Sequence, residues 1–311
     1  MTSAFGKVII LGEHAVVHGH PALAAAIDRR ISIRCEQATG PISLDVARWD
    51  LRVAVGDPHP LAEALAELAR LTGADRLGLR LDADAELPPA AGLGSSAALM
   101  VAVVRALAGA AGRHLTDGEV EEIAGAGERF FHANPSGIDV ALAARGGVGL
   151  FRRGAGLTPV AAAPVALAVG LSGEPRRTAD MVGRVAAELA RAPERTAAGL
   201  AEMGRAAELA AAEWAAGRID EVGARLGRAH EILAGIGLST PAIDRMVETA
   251  GAAGASGAKL TGAGGGGAVI ALAPGREQEV VAAWRALGHE AFVASAGAVL
   301  DGARAVREKN R

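Results

Sequence analysis

Residues 88–98 read Pro88-Pro89-Ala90-Ala91-Gly92-Leu93-Gly94-Ser95-Ser96-Ala97-Ala98, and they lead straight into an apolar stretch that ends near residue 111. Apolar residues fill most positions from 95 to 111, which predicts a helix buried nearly all round and therefore central. Gly92 and Gly94 lack a Cβ, so their amides can approach an anion closely. The first turn of the helix adds N–H groups without intrahelical partners and the positive end of the helix dipole. Loop and helix start together make a site for nucleotide phosphates, and Ser95 and Ser96 add hydroxyls, one of which could ligate Mg²⁺. Serine before an apolar run is also what an ordinary helix cap looks like, so the loop alone leaves both readings open. Two other phosphate loops fit poorly. The Walker A pattern requires a lysine that is missing here, and the dinucleotide fingerprint wants a third glycine where Ala97, its tolerated variant, stands. Pro88 and Pro89 occupy the place where a dinucleotide fold has a strand, which argues against a dehydrogenase.

The rest of the chain sets bounds on the class. Its 311 residues suffice for one large domain or two modest lobes. Half of them are hydrophobic but only 3% are aromatic and none is Tyr, so the core must be built from Ala, Val, Leu and Ile. A net charge of −3, a pI near 6.3 and the absence of any basic run exclude a nucleic-acid partner. Cys35 is the only cysteine, so no internal disulfide can form, which suits a reducing cytoplasm. The apolar run Val8 to Leu11 is too short for a signal peptide, and no stretch predicts a membrane span; residues 97–112 come closest but are interrupted by Arg105 and Gly109.

Periodicity predicts strands at 4–11, 22–35 and 77–81, and helices at 61–72, 95–111, 117–131 and 135–144. Beyond residue 147 it predicts strands at 147–151 and 165–171, then Ala-rich helices at 178–191, 195–216, 218–235 and 240–253. A strand at 268–272, a helix at 276–287 and a strand at 291–295 close the chain. Mixed elements, then helices, then a strand–helix–strand close predict an α+β protein of two lobes, 1–150 and 151–311.

Two further segments stand out: Gly6-Lys7-Val8-Ile9-Ile10-Leu11-Gly12-Glu13-His14-Ala15-Val16-Val17-His18-Gly19 and Lys259-Leu260-Thr261-Gly262-Ala263-Gly264-Gly265-Gly266-Gly267. With the loop at 88–98 they resemble, in order, the three motifs of the GHMP kinases, the superfamily of galactokinase, homoserine kinase, mevalonate kinase and phosphomevalonate kinase. The three span nearly the whole chain. The first motif, with Asn134-Pro135-Ser136-Gly137-Ile138-Asp139, takes the form found in the mevalonate kinase branch; diphosphomevalonate decarboxylases lack that first motif.

The resemblance implies a two-lobed fold with a cleft between an N-terminal nucleotide lobe and a C-terminal α/β lobe. It implies an ATP-dependent, Mg²⁺-requiring kinase acting on mevalonate. Residues Pro89, Ala90, Ala91, Gly92, Leu93, Gly94, Ser95, Ser96 and Ala97 would hold the nucleotide. Ser96 and Glu128 would ligate Mg²⁺ along with phosphate oxygens, as suits a hard cation. Asp139 would take the proton of the acceptor hydroxyl. Lys7, which alone reads as a solvated surface charge, would stabilise negative charge at the transfer site and favour the ionised form of a nearby carboxylate. Glu13 and His14 would line the acceptor pocket. Arg176 and Thr178 would meet the acceptor carboxylate, although the same residues also read as a helix start. The glycines at 264–267 would help to shape the site, and family habit suggests a homodimer.

One departure is Val140, where animal enzymes carry a polar residue after the aspartate. His14, His18 and His20 invite a zinc reading, but Ala15 follows the first histidine where a zinc-protease signature has Glu, and the segment reads as strand and turn. Two rivals remain: another kinase of the superfamily, such as a phosphomevalonate kinase or mevalonate 3-kinase, and a catalytically dead ligand sensor with the same fold. The presence of Lys7, Glu128 and Asp139 together disfavours the sensor.

Overall fold

The computed structural model describes residues 1–131, 137–175 and 178–299. The chain divides into two compact units, each assembled from three separate stretches of sequence. Two long strands, β1 (Thr2–Leu11) and β2 (Ala22–Gln37), pair with each other and contribute residues to both units.

The first unit takes Met1–Gly6, Arg29–Pro89 and Gly94–Gly146. Its strands are the far half of β2, β3 (Ser43–Val46), β4 (Leu51–Ala54) and β5 (Leu79–Ala85), and its helices are α1 (Pro60–Thr72), α2 (Ser95–Ala110), α3 (Asp117–Glu128) and α4 (Ile138–Arg145). β5 lies between β2, to which it is antiparallel from Ile31↔Ala85 to Gln37↔Leu79, and β3, to which it is parallel; β4 closes the edge. Along β5, Leu79, Leu81, Ala83 and Ala85 are buried while Arg80 and Asp84 are exposed, the period-two pattern of a strand covered on one face. The sequence predicted a strand at 77–81; the observed one starts at Leu79 and runs on through Asp82-Ala83-Asp84-Ala85, residues of low strand preference that earn their place by pairing with β2.

α2 is the centre of this unit, packed on α1, α3 and α4 as its all-round apolar pattern predicted. Fully buried Val101, Val104 and Leu107 each stabilise the fold by about 1.5–3 kcal/mol. Arg105, which interrupts the apolar run, donates to the carbonyls of Ser3 (2.8 Å) and Ala144 (2.7 Å), so its charge is not left bare inside. α3 opens with a capping box between Thr116 and Glu119 and ends at Glu128, three residues short of the predicted end.

The second unit takes Lys7–Asp28, Ala90–Leu93 and Gly147 onward. It adds β6 (Val148–Arg152), β7 (Gly156–Val160), β8 (Val165–Leu171), α5 (Thr178–Arg191), α6 (Pro193–Ala215), α7 (Ile219–Gly235), α8 (Pro241–Ala252), β9 (Gly257–Thr261), β10 (Ala268–Leu272), α9 (Glu277–Ala286) and β11 (Ala291–Ala296). The strand order runs β2-β11-β8-β10-β9, antiparallel throughout, with β6 on the first residues of β2 and β7 on β6. α7 and α8 cover β9 and β10, and α9 covers β8 and β11.

All the predicted helices that fall on described residues are found within a few residues of their expected ends. Asn134 and Pro135, expected to open the helix that carries Asp139, lie outside the described residues; α4 begins at Ile138 with Gly137 as its N-cap. The short strands β3, β4, β7 and β9 were not predicted: four or five residues carry too little periodicity. The His14–His20 segment, expected as strand and turn, includes one 3₁₀ turn at Ala15–His18. No helix among the described residues is long and apolar enough to cross a membrane.

Candidate active site

The loop ahead of α2 is built from left-handed backbone. Gly92 (φ 87°) and Gly94 (φ 75°) adopt it at little cost, while Ala90 (φ 56°) adopts it despite its Cβ. Gly94 is the N-cap, and no side chain among the described residues caps the helix. Ser95 and Ser96 therefore do not act as caps, and the first-turn N–H groups of α2 are left to another acceptor, the arrangement that receives phosphate.

Ser96 is occupied differently: its hydroxyl donates to Oε1 of Glu128 on the last turn of α3. Glu128 is only 3% exposed. Gly127 explains how it gets there. A Cβ at Gly127 would lie 2.8 Å from Met100 Sδ and 3.3 Å from Leu68 Cδ2, so glycine lets α3 come this close to α2 and α1 without displacing those side chains. The result is a hydroxyl and a carboxylate side by side at the start of α2, an all-oxygen pair that suits a hard cation bound chiefly through phosphate oxygens. No cluster of three or more His, Cys, Asp or Glu that could hold a metal by itself occurs among the described residues, the His14–His20 segment included. Asp139 lies in the first turn of α4, two residues after the N-cap Gly137 (φ 87°).

In the second unit, Lys7 is not a solvated charge. It is 3% exposed; its backbone N–H donates to Leu93 O (2.8 Å) and its Nζ to Gly92 O (3.3 Å). Six residues on, Glu13 is 1% exposed and accepts from Lys259 Nζ, itself fully buried on β9. Burial pushes the Glu13 carboxyl above its ordinary range, opposed by the charge and hydrogen bond of Lys259. Burial likewise pulls Lys259 below its ordinary range, opposed by Glu13.

His14 has φ 58° and ψ −45°, a sparsely populated conformation for a residue with a side chain. Its Nε2 lies 2.8 Å from Ala263 O; a carbonyl only accepts, so the ring proton sits on Nε2. Thr261 Oγ1 accepts from Ile9 N (2.9 Å) and donates to Ile9 O (3.0 Å). The glycines after Ala263 are tightly packed: a Cβ on Gly266 would sit 2.5 Å from Glu174 O, and one on Gly264 2.4 Å from Leu238 O.

Thr178 is the first residue of α5 and is exposed; Arg176 lies outside the described residues. The structure thus brings together Ser96 with Glu128, Lys7 with the loop, and His14 with the third motif. Lys259, Thr261 and Gly127 were missed as functional positions, because each acts through partners far away in sequence. The signal that could have pointed to Lys259 and Thr261 was their place in the segment 259–267 that resembles the third family motif.

Residues 60–147 match the family described as GHMP kinases N terminal domain, and residues 206–290 match GHMP kinases C terminal. The chain is 33% identical to a mevalonate kinase of Pyrococcus horikoshii, over 93% of this chain and 92% of that one. It is 36% identical to a mevalonate kinase of Aeropyrum pernix, over 87% of each. Among solved structures, L. major mevalonate kinase in complex with R-mevalonate superposes with a TM-score of 0.83 at 28% identity, covering 95% of both chains. With the glycine-capped helix, the paired Ser96 and Glu128 and an α+β fold already in place, these likenesses lead to one conclusion: the chain belongs to the mevalonate kinase family of the GHMP kinases.

Proposed function

We propose that this protein transfers the γ-phosphoryl group of ATP to the 5-hydroxyl of mevalonate, giving 5-phosphomevalonate and ADP. The observation that carries the reading is the start of α2, whose first turn, with Gly94 at the N-cap, stands beside the pairing of half-buried Ser96 with buried Glu128. That is the equipment of a phosphate site rather than of an ordinary helix cap.

Phosphoryl transfer depends chiefly on positioning and charge stabilisation. Residues 89–97 hold the triphosphate by backbone N–H groups. Ser96 and Glu128 would hold Mg²⁺, which would neutralise phosphate charge. Asp139 accepts the proton of the 5-hydroxyl as its oxygen bonds to the γ-phosphorus and the bond from that phosphorus to the leaving ADP oxygen breaks. Lys7, fixed against the loop, supplies positive charge to the transferring group. Glu13 and His14 form the acceptor side, and Thr178 with Arg176 meets the acceptor carboxylate.

The test is ADP release with Mg-ATP and mevalonate, phosphomevalonate, galactose or homoserine in parallel, with products weighed by mass spectrometry. Turnover of mevalonate to its 5-phosphate is expected. Turnover of another acceptor alone would overturn the substrate assignment, and ATP binding without any turnover would favour a sensor.

A further inference from the structure

We infer that Lys259 is a positioning residue for the acceptor side of the site, holding His14 in place through its buried pairing with Glu13. The inference rests on the proposed role of His14 and adds what keeps it there.

Three alternate residues of the third motif grip the first motif. Lys259 and Thr261 share one face of β9, since side chains two apart on a strand point the same way. Thr261 binds both backbone groups of Ile9, Lys259 binds the Glu13 carboxylate, and the Ala263 carbonyl accepts from the His14 ring. Lys259 spends a second proton on Leu260 O (2.6 Å), so it cannot swing away without leaving two acceptors bare. The first motif therefore meets the third at Ile9, Glu13 and His14, and the backbone between Gly12 and Ala15 is fixed from both ends.

This grip answers a question posed by the backbone. A histidine at φ 58° and ψ −45° persists only where its surroundings over-determine it. The residue before it is anchored by Lys259, its ring is held by Ala263, and its carbonyl accepts from Val17 N at 3.0 Å. Glu13 itself is enclosed: it is 1% exposed, and its second carboxylate oxygen, Oε2, is buried without a hydrogen-bond partner among the described residues. A buried lysine and carboxylate could be replaced by apolar side chains at no loss of stability, so stability alone does not account for them; the directed grip on His14 does.

The experiment uses the full chain with Glu13→Gln/Lys259→Met, in which both charges are removed together. The KM for mevalonate should rise at least tenfold while the KM for Mg-ATP stays within twofold. In ¹⁵N-histidine spectra without substrate, the slowly exchanging His14 Nε2–H signal should be lost. A folded double variant with the wild-type mevalonate KM and an unchanged His14 signal overturns the inference. If the wild-type protein does not phosphorylate mevalonate, the functional proposal fails, and the substrate-free His14 signal alone decides this one. Should the double variant not fold, Glu13→Asp keeps both charges and withdraws the carboxylate by one methylene. The same selective rise in the mevalonate KM is then expected, and equal changes in both KM values would mean a merely structural role.

Discussion

The start of α2 and the junction between the first and third motifs solve opposite problems. At α2 the backbone donors come from local geometry, a left-handed glycine at the N-cap and a first turn without a side-chain cap, and the added carboxylate comes from only 32 residues away. At the junction they come from distance: Glu13 meets Lys259, and Ile9 meets Thr261, across about 250 residues of chain. The first region leaves backbone donors open for a ligand. The second closes its charges away from water and uses them on each other. The proposed phosphoryl transfer calls for both, an anion site left open to a ligand and a substrate side held rigid.

The sharpest break of this comparison is chemical. Asp139→Asn should lower kcat by about a thousandfold, within the usual range for a general base, while calorimetry finds ATP binding little changed; near wild-type turnover would remove Asp139 from the mechanism.

The junction should respond in stability. Lys259→Met alone leaves a buried carboxylate unpaired and should cost about 3–5 kcal/mol in urea unfolding at pH 7. The pH dependence has a definite sign. Glu13 is raised from its ordinary 4.5, so its contribution is full below that pH and is lost as pH rises. Lys259 is lowered from its ordinary 10.5, so its contribution is full above that pH and is lost as pH falls. Between those limits both groups carry their desolvation cost, offset by their attraction. The double variant Glu13→Gln/Lys259→Met should match or exceed the wild type there, with the gap closing towards either extreme. The single variant should recover as pH approaches 4.5. A single variant as stable as wild type at pH 7 would show that the pair is not closed to water.

The smallest effect belongs to the first region. Glu128→Gln should raise the Mg²⁺ concentration for half-maximal rate by about tenfold, with unfolding midpoints almost unmoved. An unchanged Mg²⁺ titration would leave the Ser96–Glu128 pair a structural hydrogen bond.

The two regions were also unequally legible in the sequence. The loop at 88–98 and the boundaries of α2 could be read because glycine, serine and an apolar run each act within a few residues. The burial of Lys7 could not, since a lone lysine looks like surface until Leu93 and Gly92 are folded against it. β9 was hidden for the same reason: Lys259 in a five-residue segment reads as polar until Glu13 arrives. Local chemistry announces itself in sequence, and pairing across the chain does not.

The long-range bonds of Ile9 and Thr261 have a further consequence for synthesis. Ile9 leaves the ribosome 252 residues before its partner, which at 5–20 residues per second is a wait of about 13–50 s. During that interval a strand of Val8, Ile9, Ile10 and Leu11 has no third motif to close on. Completion of this junction is thus a late event of high contact order, and the nascent chain must keep one of its most apolar segments from other company until the motif that claims it has emerged.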